Sequence, residues 1–322
     1  MKKPSRIAVI VGLLLILAGF AWSGFSGQRI IDDVHAISSK DFTTKTADFD
    51  SAPIQNIKTN LDNLRVVVDT NTATNKVTVD YFETEEDKLA VTNTNGTLQI
   101  SRSIEKGADY LCFFRCISAP HKITIHVPAD SSYAYDVTAN NGPVAFEPTD
   151  ALLTKSIRIE SSNSSVQLQN VVSSSTIDLR NNNGSIKLRD TKAGSRLTLE
   201  SSNARTDLNR VEAPIIKANA DNGSMALEYV TSKDLTATAS NALITLTNLA
   251  TEHATITNDN GSIAGTAVGT KDDYDTRITN DNGSIQIDGD WYSNSYFSDG
   301  SNRSKSLTIR GSNASVKVNF IR

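Results

Sequence analysis

The amino-acid sequence predicts an all-β protein whose main part is a parallel β-helix, or β-solenoid, with about 20 residues per coil. Three observations predict this fold: a repeated phrase, a nearly constant spacing and recurrent apolar positions. The phrase Asn-Asp-Asn-Gly-Ser-Ile occupies residues 258–263 and 280–285, and a near copy occupies 220–225. Copies anchored on the third residue follow one another from Asn141 to Asn282 at steps of 22, 20, 20, 19, 19, 19 and 22 residues. By the usual preference of crossover connections, we expect the coil to be right-handed.

Each copy has apolar residues six and four positions before its anchor asparagine and three and five positions after it. In one copy these residues are Ile157, Ile159, Val166 and Leu168. The alternation predicts a strand, a turn centred on the asparagine, a second strand and a second turn. Because consecutive copies run in the same direction, we expect them to stack in chain order as parallel strands around an aliphatic core.

The anchor asparagine has two expected roles. Asparagine tolerates the left-handed backbone conformation, and identical side-chain amides in a parallel solenoid can hydrogen-bond from one coil to the next. Asn95 fits the apolar pattern but lies outside the regular spacing. The predicted ladder consists of Asn141, Asn163, Asn183, Asn203, Asn222, Asn241, Asn260, Asn282 and Asn313.

Residues 1–28 are predicted to be an export segment. Three basic side chains precede an uncharged run from Ile7 to Phe25, and its 19 residues approach the roughly 20 that span a bilayer core. The basic flank predicts a single-pass cell-membrane protein with a cytoplasmic N-terminus, a transmembrane helix and an extracellular C-terminal domain. A cleaved signal peptide, which would give a secreted protein, is the alternative.

The rest of the chain divides into three predicted parts. Residues 29–52 mix charged and hydroxyl side chains and are expected to form a juxtamembrane spacer. Residues 53–130 contain short alternating runs, which predict an N-terminal β section. This section is expected to cap the first coil, since an end coil otherwise exposes its core and unpaired strand edges. Residues 131–322 contain the solenoid repeats.

Two cysteines, Cys112 and Cys116, lie in an apolar connection within the N-terminal β section. The short separation in an exported chain favours a disulfide that closes a small loop. Free thiols are one alternative. Metal binding together with His121 or His126 is another, although the spacing matches no familiar zinc pattern.

Charged residues do not indicate an obvious active site. The formal net charge is −4 and no basic block follows the first six residues, so nucleic acid is not an expected partner. The charges nearest to a catalytic cluster fall into columns of opposite sign when the repeats are aligned, which predicts surface ion pairs. A polysaccharide-cleaving face is the alternative. These side chains are Glu160, Asp178, Arg180, Lys187, Arg189, Glu200 and Asp207.

Two further features are candidate binding sites. Asp221, Asp259 and Asp281 precede anchor asparagines, and the last two are expected on adjacent coils. Their oxygens suit calcium, but we favour a local Asx-type turn contact. The long step before Asn313 admits an aromatic insert that either binds a sugar or protein or folds over the last coils as a lid. Its aromatic residues are Trp291, Tyr292, Tyr296 and Phe297.

A membrane segment, the strand Ile-Thr-Ile-His-Val-Pro at 123–128 and repeated Asn-Gly-Ser-Ile units resemble a known group. This group is the bacterial putative-adhesin family of β-strand repeat proteins, a domain of unknown function that includes LiaG-like membrane proteins of Gram-positive envelope-stress operons. The resemblance covers about residues 53–322. It implies a fold but no catalytic residues.

These features together predict a membrane-anchored extracytoplasmic solenoid with a binding, adhesive or envelope-associated structural role. No enzymatic activity, metal or cofactor is expected. The expected partners are the membrane and an envelope or host glycan or protein. Two alternatives stay open, namely a polysaccharide-binding or polysaccharide-cleaving β-helix and a sensing partner in envelope stress.

Overall fold

The computed structural model describes residues 43–71, 74–83, 87–104, 122–298 and 303–322. The chain forms two compact units. The larger unit comprises residues 44–82, 89–103 and 121–322, and the smaller unit, residues 1–43, 83–88 and 104–120, lies almost entirely outside the described ranges. The predicted membrane segment is therefore not described. Among the residues that are described, no helix has the length and apolar character needed to cross a bilayer.

The described residues are mostly β-strand, with one short 3-10 helix, η1 (Lys271–Asp273). The strands before the repeats are β1 (Thr43–Asp50), β2 (Asn56–Leu61), β3 (Arg65–Asn71), β4 (Lys76–Glu83), β5 (Asp87–Thr94), β6 (Thr97–Ile104) and β7 (Lys122–Pro128). The strands of the repeats are β8 (Tyr133–Ala139), β9 (Val144–Phe146), β10 (Leu152–Ser161), β11 (Val166–Ser173), β12 (Thr176–Asn181), β13 (Ile186–Ala193), β14 (Arg196–Ser201), β15 (Thr206–Ala220), β16 (Met225–Ala239), β17 (Ile244–Val268), β18 (Tyr274–Asn280), β19 (Ile285–Ile287), β20 (Asp290–Tyr292), β21 (Ser295–Phe297) and β22 (Lys305–Ile321). The predicted all-β, solenoid-like class is confirmed. Strand β1 lies within the range expected to be a spacer.

The strands form one continuous sheet that bends at the corners, and each regular coil contributes to three faces of it, which we call the first, second and third sheets. The first sheet leads into the asparagine corner, the second sheet follows that corner, and the third sheet follows another corner seven residues after the asparagine; in one coil these are residues 157–161, 166–169 and 171–173. A regular coil has the two predicted strands, such as β12 and β13, but the prediction did not include the bend inside the second strand. At this bend the chain turns at a residue with a left-handed backbone. These residues are Asn170, Asp190, Arg210, Tyr229 and Asn248, with φ between 48° and 54°.

Neighbouring coils pair in parallel with the predicted register. Ile157 lies beside Ile177 in the first sheet, and Val166 lies beside Ile186 in the second. The predicted inward residues form one buried aliphatic core. Burying one such side chain contributes about 1.5–3 kcal/mol, so these columns are the main source of stability of the array.

Strand β22 enters the stack out of chain order. It pairs with β17 on one side and with β18 and β19 on the other. Asn260 therefore lies beside Asn313, whereas stacking in chain order would place it beside Asn282. The expectation of chain-order stacking is wrong for the last coils, because β18 and β19 leave one coil position open and β22 returns to fill it.

Antiparallel strands end the parallel stacking of the second sheet on both sides. On one side β7 continues the sheet in parallel beyond β3, and β4 then pairs with β7 in the antiparallel direction. On the other side β20 pairs antiparallel with β19, and β21 does the same with β18 in the first sheet. These strands occupy backbone groups that a further parallel coil would otherwise use.

Candidate functional site

The asparagine corner carries a continuous ladder of side-chain amides. Each Nδ2 donates to the Oδ1 of the asparagine in the preceding coil, at distances of 2.8–3.1 Å. The side chains are exposed, so the ladder runs along the outside of the corner. In stacking order its members are Asn63, Asn141, Asn163, Asn183, Asn203, Asn222, Asn241, Asn260, Asn313 and Asn282.

The ladder differs from the expectation in three respects. It begins at Asn63, which sequence reasoning missed because Leu64 stands where the phrase has glycine, serine or alanine. Asn95 instead occupies the turn between β5 and β6 with φ 50°. Among the ladder asparagines only Asn63 has a left-handed backbone. The coil-to-coil hydrogen bond, and not the left-handed conformation, therefore explains why the other ladder positions are asparagine.

Glycine and larger residues alternate at the position after the ladder asparagine. A Cβ built on any of the five glycines would lie 1.8–2.0 Å from a backbone oxygen of the preceding coil, so close backbone approach requires glycine there. Chain order, with Gly261, Gly283 and Ala314, breaks the alternation, and the insertion of β22 restores it. In stacking order the residues are Leu64, Gly142, Ser164, Gly184, Ala204, Gly223, Ala242, Gly261, Ala314 and Gly283.

Three buried asparagines brace these corners from inside. Asn181, Asn258 and Asn280 lie two residues before a ladder asparagine. Each donates its Nδ2 to a backbone oxygen of the preceding coil at 2.6–2.7 Å. Buried amides stabilise a fold only when they are hydrogen-bonded, so the first asparagine of the repeated phrase is a structural residue. The recurrence of this asparagine at positions 258 and 280 is the sequence signal that could have identified its structural role.

The aspartates before the ladder do not converge on a cation. Asp259 and Asp281 are exposed, and the coil of Ser312 separates them because β22 lies between β17 and β18. The expectation that they occupy adjacent coils is therefore wrong. Two coil spacings of ~4.8 Å therefore separate the backbones of the two aspartates, and Ser312 occupies the coil between them. Within the described ranges no group of three or more His, Cys, Asp or Glu side chains is arranged to hold a metal.

The charges considered as a catalytic cluster divide between two sheets. Glu160, Asp178, Arg180 and Glu200 lie on strands of the first sheet, and Lys187, Arg189 and Asp207 lie on strands of the second. On the first sheet, Arg180 Nε lies 3.6 Å from Asp178 Oδ1 and 3.5 Å from Glu200 Oε2. Arg158 donates to Glu160 at 2.5 Å, and this hydrogen bond raises the pKa of the Arg158 guanidinium. Opposite charges thus meet both within and between strands.

The second sheet carries a groove of about 410 Å³ over β11, β13, β15 and β16. Arg205 donates to Asp207, which raises the pKa of the Arg205 guanidinium. Asn209 Nδ2 donates to Glu228 Oε2 at 2.6 Å. Lys187 is in register with Asp207, but the ion-pair contact of that carboxylate is with Arg205. The polar residues of the groove are Gln167, Gln169, Lys187, Arg189, Arg205, Asp207, Asn209 and Glu228.

The aromatic insert contains β20 and β21, which lie along the last coil. The rings of Tyr292 and Tyr296 meet edge to face with centroids 4.7 Å apart and pack on the core. Lys271 Nζ lies 3.2 Å from the Tyr292 hydroxyl and 5.0 Å from the centroid of the Tyr296 ring. Trp291 and Phe297 are 69% and 53% exposed. The insert therefore covers the last coil with two tyrosines and presents two aromatic rings to solvent.

His126 joins three strands of the N-terminal section. Its Nδ1 lies 2.5 Å from Asp69 Oδ1 and its Nε2 lies 3.2 Å from Asp80 Oδ2. The two ring nitrogens contact different carboxylates, so His126 on β7 links β3 and β4. Cys112, Cys116 and His121 lie outside the described residues. The disulfide between the two cysteines stays a prediction.

Comparison with known proteins identifies relatives of this architecture. The sequence profile of the family Toastrack DUF4097 matches residues 54–318. A solved putative adhesin from Parabacteroides merdae ATCC 43184 is 11% identical, and the match covers 88% of this chain and 98% of that chain at a TM-score of 0.51. A putative adhesin from Bacteroides fragilis NCTC 9343 is 13% identical over 87% and 98% of the two chains, with a TM-score of 0.41. No curated protein sequence matches the chain. At such identity the likeness concerns the fold alone.

Proposed function

The chain belongs to the Toastrack DUF4097 family, and from this premise we propose that it is a non-catalytic binding protein of the cell envelope. In this proposal residues 1–28 anchor the protein in the membrane and the solenoid stands outside the cell. The observation that carries the proposal is the groove on the second sheet, where exposed and half-buried polar side chains lie on strands held by an apolar core.

The rigidity of the coil array supports a binding role. Side-chain amides link the coils along the asparagine corner, and backbone hydrogen bonds link the same corners at 2.7–3.3 Å. A surface that is already ordered loses little conformational entropy when a ligand binds. The sheet faces therefore provide preorganised positions for ligand contacts.

The contacts of the carboxylates favour binding over cleavage. Glycoside hydrolysis requires one carboxyl group as an acid and a second as a base or nucleophile. On the first sheet Arg180 lies between Asp178 and Glu200, and on the second sheet Arg205 contacts Asp207. Carboxylates that form ion pairs with arginine on the same face are better suited to a fixed recognition surface than to proton transfer.

The adhesive part of the proposal comes from the name of a structural relative. The Parabacteroides merdae protein is named a putative adhesin, and its likeness to this chain concerns the fold. Adhesion by this chain therefore requires a direct assay.

Protease treatment of intact bacteria tests the proposed location. The full-length protein would carry an epitope after residue 322, and membranes would be extracted with alkaline carbonate. We expect external protease to remove the epitope from intact cells and the untreated protein to stay with the membrane pellet. An epitope that is protected in intact cells and digested only after lysis would overturn the external location. Release of the intact protein into the medium would overturn the anchor.

A second assay separates binding from cleavage. Detergent-solubilised full-length protein would be incubated with immobilised envelope polysaccharides and with host matrix proteins, and bound protein and new reducing or unsaturated ends would both be measured. We expect retention on at least one surface without new ends. New ends that disappear in an Asp178→Ala or Asp207→Ala variant would show that the face is catalytic.

A further inference from the structure

We propose that the groove on the second sheet binds an anionic glycan chain that lies along the stacking direction of the coils. This inference rests on the binding function proposed above and adds the site and the ligand class. The groove crosses the four strands β11, β13, β15 and β16. Three spacings of ~4.8 Å give a length of about 14 Å, which accommodates a short run of sugar residues.

The charge of the groove selects an anion. Asp207 is contacted by Arg205, and Glu228 accepts a hydrogen bond from Asn209. Among the described residues no carboxylate lies within 4.0 Å of Lys187 Nζ or of the Arg189 guanidinium nitrogens. The groove holds three cationic and two anionic side chains, so its net charge is positive in a chain whose formal net charge is −4. Lys187 and Arg189 stand on the same strand and supply adjacent donors for carboxylate or sulfate oxygens.

The neutral side chains of the groove suit hydroxyl groups. Gln167 and Gln169 flank Lys187 and Arg189 on the preceding coil, in register at Gln167 beside Lys187 and Gln169 beside Arg189. A side-chain amide both donates and accepts hydrogen bonds, as a sugar hydroxyl does. The columns along the stack thus place amides next to cations, which matches a chain of hydroxyl-bearing units with acidic substituents.

The same surface is poorly suited to a peptide. A peptide that adds to a sheet needs an open strand edge, and β13 and β15 are paired with a neighbouring strand on both sides. The groove also has no aromatic lining residue, and its apolar lining residues Leu168, Leu188, Leu208 and Ala226 are buried. Peptide hot spots usually consist of aromatic or large apolar anchors in a pocket.

Fluorescence anisotropy with labelled oligosaccharides tests the ligand class. Detergent-solubilised full-length protein would be titrated into oligogalacturonate, into a heparin oligosaccharide and into methyl-esterified oligogalacturonate, which has the same backbone without charge. We expect binding to at least one charged probe, weaker binding to the ester, and lower affinity when salt rises from about 0.1 M to about 0.5 M. Binding of oligogalacturonate would show that carboxylate is sufficient, whereas binding of heparin alone, which carries both carboxylate and sulfate, would show that sulfate is required. Equal binding of oligogalacturonate and its ester would overturn the inference.

Paired variants test the site. Lys187→Gln combined with Arg189→Gln is expected to weaken binding of the charged probe about tenfold or more, since charge-assisted hydrogen bonds are lost. The matched control is Arg158→Gln combined with Lys192→Gln, which removes the same amount of charge from the first and third sheets. These residues contact Glu160 and Glu212, and the control should change affinity for the charged probe less than about twofold. Equal losses of affinity in the two double variants would show that binding depends on net charge, and would overturn the assignment of the site to the groove.

The two proposals fail in different ways. A protein that is exposed on cells and adheres to a surface, yet binds neither charged probe, would overturn the glycan inference and leave the envelope function intact. A protein that is protected from external protease would overturn the envelope function, whatever its affinity for glycans. Tighter binding of an acidic peptide such as oligoglutamate than of either glycan would also overturn the ligand class.

Discussion

Gly223→Ala is expected to destabilise the coil array by about 3–5 kcal/mol, because the added methyl group has no space. A Cβ at this position would lie 1.8 Å from the backbone oxygen of Ala204 and 2.4 Å from its carbonyl carbon. Real Cβ atoms essentially never come closer than 3.0 Å to another heavy atom, so the contact must lengthen by the difference between 3.0 and 1.8 Å, which is 1.2 Å. Backbone cannot rotate away as a side chain does.

The displacement acts on hydrogen bonds at the same corner. Asn222 Nδ2 donates to Asn203 Oδ1 at 3.1 Å, and the Asn222 backbone N–H donates to the Ser202 oxygen at 2.8 Å. Lengthening either distance by about 1 Å takes it beyond a hydrogen bond. Two lost hydrogen bonds at about 1 kcal/mol each, added to about 1–3 kcal/mol for overpacking, give the expected magnitude.

Urea unfolding followed by circular dichroism measures this effect, and amide hydrogen exchange at residues 222–225 locates it, because long repeat arrays depart from two-state unfolding. Ala204→Gly is the matched control and should cost about 0.5–1 kcal/mol. The double variant Gly223→Ala with Ala204→Gly should be at least as unstable as Gly223→Ala, since glycine at 204 keeps the clashing oxygen. Rescue by the double variant, or a loss below about 1 kcal/mol in the single variant, would refute the close-approach explanation.

Three further predictions concern the ladder, an ion pair and the lid. Asn222→Leu removes two ladder hydrogen bonds and should lower the unfolding free energy by about 1–2 kcal/mol. The control Asn219→Leu changes an exposed position on the same coil and should change the unfolding free energy by less than about 0.5 kcal/mol. Equal urea midpoints for the two variants would contradict a stabilising ladder. The hydrogen bond from Arg210 lowers the pKa of Asp190, so this contribution is present above the ordinary aspartate pKa of about 3.9 and is lost as pH falls through the folded pKa. Asp190→Asn should therefore lower the unfolding free energy by less than about 1 kcal/mol at pH 7, because the ion pair with Arg210 is exposed. Near pH 2 the substitution should not change the unfolding free energy. A difference between variant and wild type that does not depend on pH would disprove the linkage. Tyr296→Ala should loosen the lid and speed hydrogen exchange in β18, whereas Trp291→Ala should leave exchange unchanged; the reverse order would refute the assignment of inner and outer rings.

The regular part of the fold was predictable because its determinants recur at a fixed spacing. Apolar columns such as the one through Ile157 and Ile177 specify parallel register, since a slip of one residue would bring polar side chains into the core. The second corner was not predictable to the same degree. Asn170 and Asp190 are residue types that tolerate a left-handed backbone, but Arg210 and Tyr229 take the same conformation without that propensity.

The position of β22 depends on pairing between distant parts of the chain, which local patterns do not contain. One signal was nevertheless present in the sequence. Glycine and a larger residue alternate after each ladder asparagine, and Ala314 fits this alternation only between Gly261 and Gly283. The candidate groove was less accessible from the sequence. Register alone places Lys187 beside Asp207, and only the side-chain contacts reveal that Arg205 takes the carboxylate.

The place of β22 in the stack also bears on biosynthesis. A ribosome makes β17 first, then β18 and β19, and only afterwards the strand that lies between them. Coils up to β16 gain their parallel partners in the order of synthesis, whereas β17, β18 and β19 must wait for the residues from Lys305 onward. A translation product that stops before Lys305 would keep two strand edges open to proteases and to aggregation. The parallel stack of the last coils is therefore complete only after the residues from Lys305 onward have been synthesised.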